Sequence, residues 1–289
     1  MGHYIKMEDN AKLYVEDIGS GTPLIFMHGW PLNHKMFEYQ FTMLSRRGYR
    51  CIGIDQRGFG RSDAPASGYS YDRMADDLRT VIDHLDLQDA VLIGFSVGGA
   101  ISIRYMARHH AHRISKLALI GAAAPVFTQR LDYPYGMTNK EMNDQIQAVI
   151  TDRPKMLRDF GKQFLAHKAN LFNAVSNDFT DWLHQLGLEA SAWGTVRVAE
   201  SLRDEDLRTD LEHIRCSVTI FQGLQDKICP PDFGQLLVKA IPKSTLVQFE
   251  DSGHGIMFDE PQKFNDELIS FLEKSRPVRD AVKGPTILI

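Results

Sequence analysis

Two periods of hydrophobic placement alternate along the first 127 residues. Residues 4–8 and 13–17 alternate apolar with polar side chains, as half-buried antiparallel strands do, with Asp9-Asn10 as the turn between them. Residues 24–27, 49–54, 90–95 and 114–120 are short apolar runs bounded by glycine or charge. Such runs predict strands buried on both faces, the mark of a parallel sheet covered by helices. Between them, residues 71–85 set Met74, Leu78, Val81, Ile82 and Leu85 on one helical face, and a second helix over 97–109 starts directly after a strand. This rhythm predicts an α/β fold, a doubly wound parallel sheet with an antiparallel start.

The rhythm stops after Pro125. From about 128 to 211 the chain is polar and helical in period, with candidate helices at 139–150, 155–165, 179–186 and 192–202. It then resumes as strand 218–222, helix 233–240, strand 245–249 and helix 261–272. The expected organisation is one sheet domain (1–127 and 212–274) interrupted by a helical insertion at 128–211, with residues 275–289 as a tail of no clear period.

Composition narrows the class. Of 289 residues 43% are hydrophobic and 24% charged, a globular profile rather than a disordered one. The net charge of −4 and the lack of a Lys/Arg cluster argue against a nucleic-acid partner. Cys51, Cys216 and Cys229 are too few and scattered for a disulfide framework or a zinc site, which suits a reducing compartment. The first ten residues hold no apolar core of a secretory signal, and the longest apolar runs are broken by glycine. A soluble, cytoplasmic protein without membrane attachment is expected.

The candidate chemistry begins with Gly94-Phe95-Ser96-Val97-Gly98, a G-x-S-x-G pentapeptide between a predicted strand and a predicted helix. There the turn is tight enough to strain the serine backbone, and small residues two before and two after it relieve clashes. Ser96 is the expected nucleophile, and the Val97 amide is an expected oxyanion donor. A serine needs a base. His254 fits, in a glycine-flanked loop between the last strand and the last helix, whereas His109, His110 and His112 end an amphipathic helix and suit a solvated face. Asp226, just past strand 218–222, is the preferred acid; Asp251 is the rival, and Asp232 reads as a helix cap. The loop His28-Gly29-Trp30-Pro31 after an early strand offers the Trp30 amide as second oxyanion donor, with His28 as a structural brace.

Together, His28-Gly-Trp-Pro, Asp55-Gln-Arg-Gly-Phe-Gly-Arg-Ser62, Gly94-Phe-Ser-Val-Gly-Gly99, Asp226 and Gly253-His254-Gly255 resemble the α/β-hydrolase superfamily over about residues 3–274. The set is most similar to small bacterial esterases that group with cofactor-free haloperoxidases (perhydrolases) and arylesterases. The resemblance implies a mostly parallel eight-stranded sheet whose second strand is antiparallel, a helical cap at 128–211, and a structural turn at 57–62. It implies cleavage of a carboxylic ester through a Ser96 acyl-enzyme, with neither metal nor organic cofactor. A perhydrolase side reaction is compatible with Trp30-Pro31. The insertion is rich in bulky apolar residues: Phe127, Met137, Phe160, Phe164, Leu171, Phe172, Trp182, Leu183, Leu186 and Trp193. As a set they favour a small to medium apolar ester. Phe127, Met137 and Trp182 are pocket candidates, with Ile228 and Met257 beside the expected acid and base. Ser96 argues against the carboxylate-nucleophile branches of the fold. Lactonases, amidases, carbon–carbon bond hydrolases and slow ligand receptors keep the same three residues.

Overall fold

Strands with apolar side chains on both faces fill the middle of a sheet, because neither face is left to water. In the computed structural model, which describes residues 2–166 and 175–274, Leu24, Ile25 and Phe26 of β3 (Thr22–Met27) are fully buried, as are Leu92 and Ile93 of β5 (Ala90–Phe95). β3 pairs in parallel with β5 on one side and with β4 (Tyr49–Ile54) on the other. The sheet continues in parallel through β6 (Ile114–Ile120), β7 (Ser217–Gly223) and β8 (Ser244–Phe249). At the other edge β2 (Lys12–Gly19) runs antiparallel to β4, and β1 (His3–Lys6) runs antiparallel to β2. The eight strands stand in the order β1-β2-β4-β3-β5-β6-β7-β8. The chain therefore steps from β3 outward to β4, then back across β3 to β5, and a crevice opens where that direction reverses.

The sheet is flanked by α1 (Glu38–Ser45), α2 (Tyr71–His84), α3 (Val97–Arg108), α7 (Pro231–Ala240) and α9 (Pro261–Glu273), while the four-residue α8 (Ile256–Asp259) precedes α9. α2 forms on the predicted stripe: Met74, Leu78, Val81 and Ile82 are buried, and the Ser70 hydroxyl caps its start by accepting the Arg73 N–H. Two of the α-helices leave no periodic signal in the sequence. α1 buries only Gln40, Phe41 and Leu44, too short a stripe to register, and α8 is a single turn.

Between β6 and β7 come α4 (Asn139–Phe164), α5 (Asn177–Leu188) and α6 (Ala192–Asp204). α4 starts at a capping box of Thr138 and Glu141. It then breaks at Asp152, whose φ of −152° and ψ of 76° are not helical; its carboxylate caps the next stretch at the Lys155 N–H, 3.1 Å away, with Pro154 in the first turn. The two helices expected at 139–150 and 155–165 thus meet at a kink. Leu171, Phe172 and the tail 275–289 lie outside the described residues. Among the described residues no helix is long and apolar enough to cross a membrane, and no group of His, Cys, Asp or Glu is placed to hold a metal. His109 and His112 instead pair with Asp76 and Asp83.

The turn at 57–62 is anchored by a buried cation. The Arg57 side chain is 0% exposed; its Nε and Nη2 donate to the two Asp77 oxygens at 2.5 and 2.7 Å, and Nη1 donates to Asp9 at 2.9 Å. Beside it, Asp55 accepts the His34 main-chain N–H at 2.9 Å and the Arg61 N–H at 2.9 Å, tying the loop that follows β4 to the segment that follows β3. Removing one partner of a buried pair strands the other's charge, at a cost of about 3–5 kcal/mol. Asp77→Ala should lower unfolding stability in urea by that amount; a loss below about 1 kcal/mol would mean that Asp9 alone satisfies Arg57.

Candidate active site

β5 passes into α3 through Ser96, which has φ 54° and ψ −121°. This left-handed backbone is costly for a residue with a side chain. Its main chain is fully engaged: the Ser96 N–H donates to the Ile120 carbonyl at 2.9 Å, and its carbonyl accepts from Gly99 at 2.9 Å and Ala123 at 3.0 Å. The following helix end is pressed against the strand beside it. A Cβ on Gly98 would stand 2.3 Å from the Met27 carbonyl oxygen and 2.6 Å from that of His28, so only glycine fits.

Met27 is the register partner of Gly94, so the loop leaving β3 and the turn leaving β5 start side by side. A Cβ built on Gly29 would lie 3.0 Å from the Ser96 Cβ, which puts that loop against the serine. Trp30 is pinned there by its indole N–H, which donates to the Thr195 carbonyl at 2.9 Å, and by edge-on packing with Phe160 at 5.1 Å. His28 braces the loop: its Nε2 accepts the Gln56 N–H at 3.0 Å, and the Gln56 side-chain amide donates to the His28 carbonyl at 2.6 Å. Burial pushes the His28 imidazole down to about 4, against the opposing pull of Asp55, so the ring stays neutral. Val97 opens α3, where a first-turn N–H has no intrahelical carbonyl.

The other two expected residues meet because the loops after β7 and β8 are stitched together. The Leu224 N–H donates to the Phe249 carbonyl at 2.8 Å and the Gln225 N–H to that of Ser252 at 3.0 Å. One Asp226 oxygen accepts the N–H groups of Ile228 and Cys229, both at 2.8 Å. The other lies 2.7 Å from His254 Nδ1. With Nδ1–H donating to Asp226, the neutral ring presents a lone pair at Nε2. The imidazole is 1% exposed, packed between Phe95 at 4.7 Å and Phe164 at 5.5 Å, and Phe95 directly precedes Ser96. Of the three carboxylates weighed on sequence grounds, His254 meets Asp226. Asp251 is exposed with its N–H on Glu260, and Asp232 lies in the first turn of α7. Cys229 is buried beside the site, and burial holds its thiol well above the ordinary cysteine range, which keeps it unreactive.

A cavity of about 570 Å³ opens between the β3 loop and the insertion. Its walls include Pro31, Leu32, Leu157, Phe160, Phe164 and Leu183. None of the five expected pocket residues is on it. Ile228 and Met257 are buried beside Asp226 and in α8; Trp182 packs on Phe179; Phe127 packs on Phe233; and Met137 returns its N–H to the Phe127 carbonyl. Phe127 and Met137 serve the base of the insertion, and Trp182 stacks in an aromatic cluster with Phe179 and Tyr39. Sequence reasoning missed Leu157, whose spacing with Phe160 and Phe164 (i, i+3, i+7) is the signal for that wall.

Residues 22–261 match the α/β hydrolase fold family, and the chain belongs to it. It is 51% identical over 271 residues to AB hydrolase superfamily protein YisY of Bacillus subtilis (strain 168), spanning 94% of this chain and 99% of that one. Among solved structures it is similar to an esterase from Exiguobacterium antarcticum, with 47% identity, a TM-score of 0.91, and coverage of 95% of this chain and 100% of that one. It is also similar to a bromoperoxidase from Bacillus anthracis, with 33% identity, a TM-score of 0.90, and coverage of 94% and 100%.

The neutral His28 sets a pH dependence. Its ring titrates near 6.5 when unfolded and at about 4 when folded. Between those values the unfolded chain binds the extra proton, so stability falls as pH drops, by about 3 kcal/mol in all. Urea unfolding of wild type and His28→Gln at steps from pH 7 to 4 should show a shallower slope in the variant, by about 1.4 kcal/mol per unit. Equal slopes would show that His28 takes up its proton while folded.

Proposed function

We propose that this member of the α/β hydrolase fold family is a serine esterase cleaving small to medium apolar carboxylic esters. The observation that carries this reading is Ser96 at a strained strand–helix turn, directly after Phe95, whose ring lies 4.7 Å from a His254 imidazole held by Asp226 at 2.7 Å. Ser96 Oγ attacks the ester carbonyl while His254 Nε2 accepts its proton, and Asp226 stabilises the imidazolium. The amides of Trp30 and Val97 receive the oxyanion; losing one such donor costs about 3–4 kcal/mol of transition-state stabilisation. His254 then protonates the leaving alcohol, and water attacks the acyl-enzyme with His254 again as base. Every step is served by the chain's own groups.

The cavity wall is apolar at Leu157, Phe160, Phe164 and Leu183 and charged at Arg158, Lys162, Asp181, Asp251 and Asp259. Its apolar stretch suits an apolar acyl or alcohol group, and residues 128–211 act as the cap that supplies most of the wall. The similarity to proteins named esterase and bromoperoxidase supports the same reading, including a side reaction in which hydrogen peroxide attacks the acyl-enzyme, releasing a peracid and restoring the Ser96 hydroxyl. The free thiols of Cys51, Cys216 and Cys229 favour the cytoplasm as its location.

On p-nitrophenyl esters of two to eight carbons, wild type should turn over repeatedly. Ser96→Ala should lose about 10⁶ in kcat, and Asp226→Asn about 10⁴ through loss of the correct imidazole tautomer. A Ser96→Ala protein that keeps its activity, or a wild type that stops after one turnover, would overturn the esterase reading in favour of lactam, carbon–carbon or receptor alternatives.

A further inference from the structure

The Asp226 contact orients the His254 ring, but the main chain of its loop is held elsewhere. The Gly253 N–H donates to Asp259 Oδ2 at 2.8 Å. That same oxygen accepts a second N–H, from Ala166 at 3.0 Å, which is 93 residues away and just past the end of α4. A third bond runs alongside: the Gly255 N–H donates to the Phe164 carbonyl at 2.8 Å. The two glycines flanking His254 are thus both tied to the segment 164–166. Their lack of side chains is what lets that segment lie so close. A Cβ on Gly253 would stand 2.8 Å from the Ala166 nitrogen, and one on Gly255 would stand 2.7 Å from the Phe164 ring.

We propose that Asp259 is a positioning residue for His254: its carboxylate locks the histidine loop to the end of α4, so that seating of the cap and placement of the base are set by one group. A brace internal to the loop would need only the Gly253 contact. The Ala166 contact joins it to the helix whose Phe160 and Phe164 wall the cavity and whose Phe164 ring rests on the imidazole. Burial, reinforced by Glu260 and Asp226, pushes the Asp259 carboxyl above its usual range, and the two N–H bonds work against that push.

The inference rests on His254 being the base for Ser96, and the test separates the two ideas. Misplacing a reacting group by about 1 Å from outside the chemistry costs up to about 10²-fold. Asp259→Ala should lower kcat for p-nitrophenyl butyrate by about 10- to 100-fold, with KM changing less than about 3-fold. The rate at which a p-nitrophenyl phosphonate labels Ser96 should fall by the same factor, since that reaction also needs the base. Asp259→Asn keeps an oxygen for both N–H groups and should restore both rates to within about 3-fold of wild type. If Asp259→Ala does not fold, Ala166→Pro decides: it removes the donor on the α4 side while leaving Asp259 and its Gly253 contact in place, and should slow labelling in the same direction. Labelling at the wild-type rate in either folded variant overturns the proposal alone. A wild type whose Ser96 the phosphonate does not label overturns the catalytic reading and this proposal with it.

Discussion

A residue with a side chain held at a φ of 54° stores about 1–3 kcal/mol of backbone strain, and at Ser96 the centre of the sheet is arranged to contain it. The Ile120 carbonyl at the end of β6 takes its N–H, and Ala123, just beyond that strand, donates to its carbonyl. The helix that follows starts so close to β3 that its third contact surface is the Met27 and His28 backbone, admitted only by Gly98. The loop carrying Trp30 lies where it does because the turn beside it is fixed. Strain at one residue therefore sets the geometry of two loops.

Much of this was legible in the chain because it rests on short-range rules. Buried strands announce themselves as apolar runs, and an elbow needs glycine at 94 and 98. His254 stood out among the histidines because glycines flank it in a loop. The kink in α4 was legible too, as a gap between two helical periods around Asp152 and Pro154. What stayed hidden depends on contacts far apart in sequence. Periodicity shows that Phe127, Met137 and Trp182 are apolar, but not that two of them pack the base of the insertion while the third joins an aromatic cluster. Which face of α4 meets the cavity is decided by the direction the helix takes after its kink. α1 and α8 were missed because a stripe of two or three buried residues is no stripe at all.

Part of the polar interior is built from buried groups that satisfy one another. Arg57 is paired with Asp77, Asp55 takes the amides of His34 and Arg61, and His28 accepts from Gln56. They brace the loops that follow β3 and β4, on the side of the crevice opposite the β7 and β8 loops. The serine sits between two independently anchored halves.

That division of labour has an evolutionary consequence. The groups that would perform the chemistry come from strand ends, while most of the cavity wall comes from the second stretch of α4 and from α5. Leu157 and Leu183 line that cavity, so a change in their size would act on the cavity rather than on the loops around Ser96 and His254. Phe160 and Phe164 differ, because Phe160 packs edge-on against Trp30, and the Phe164 ring meets His254 while its carbonyl holds Gly255. A lineage could thus reshape the cavity at two wall positions while two others stay fixed, each tethered to a loop beside Ser96 or His254.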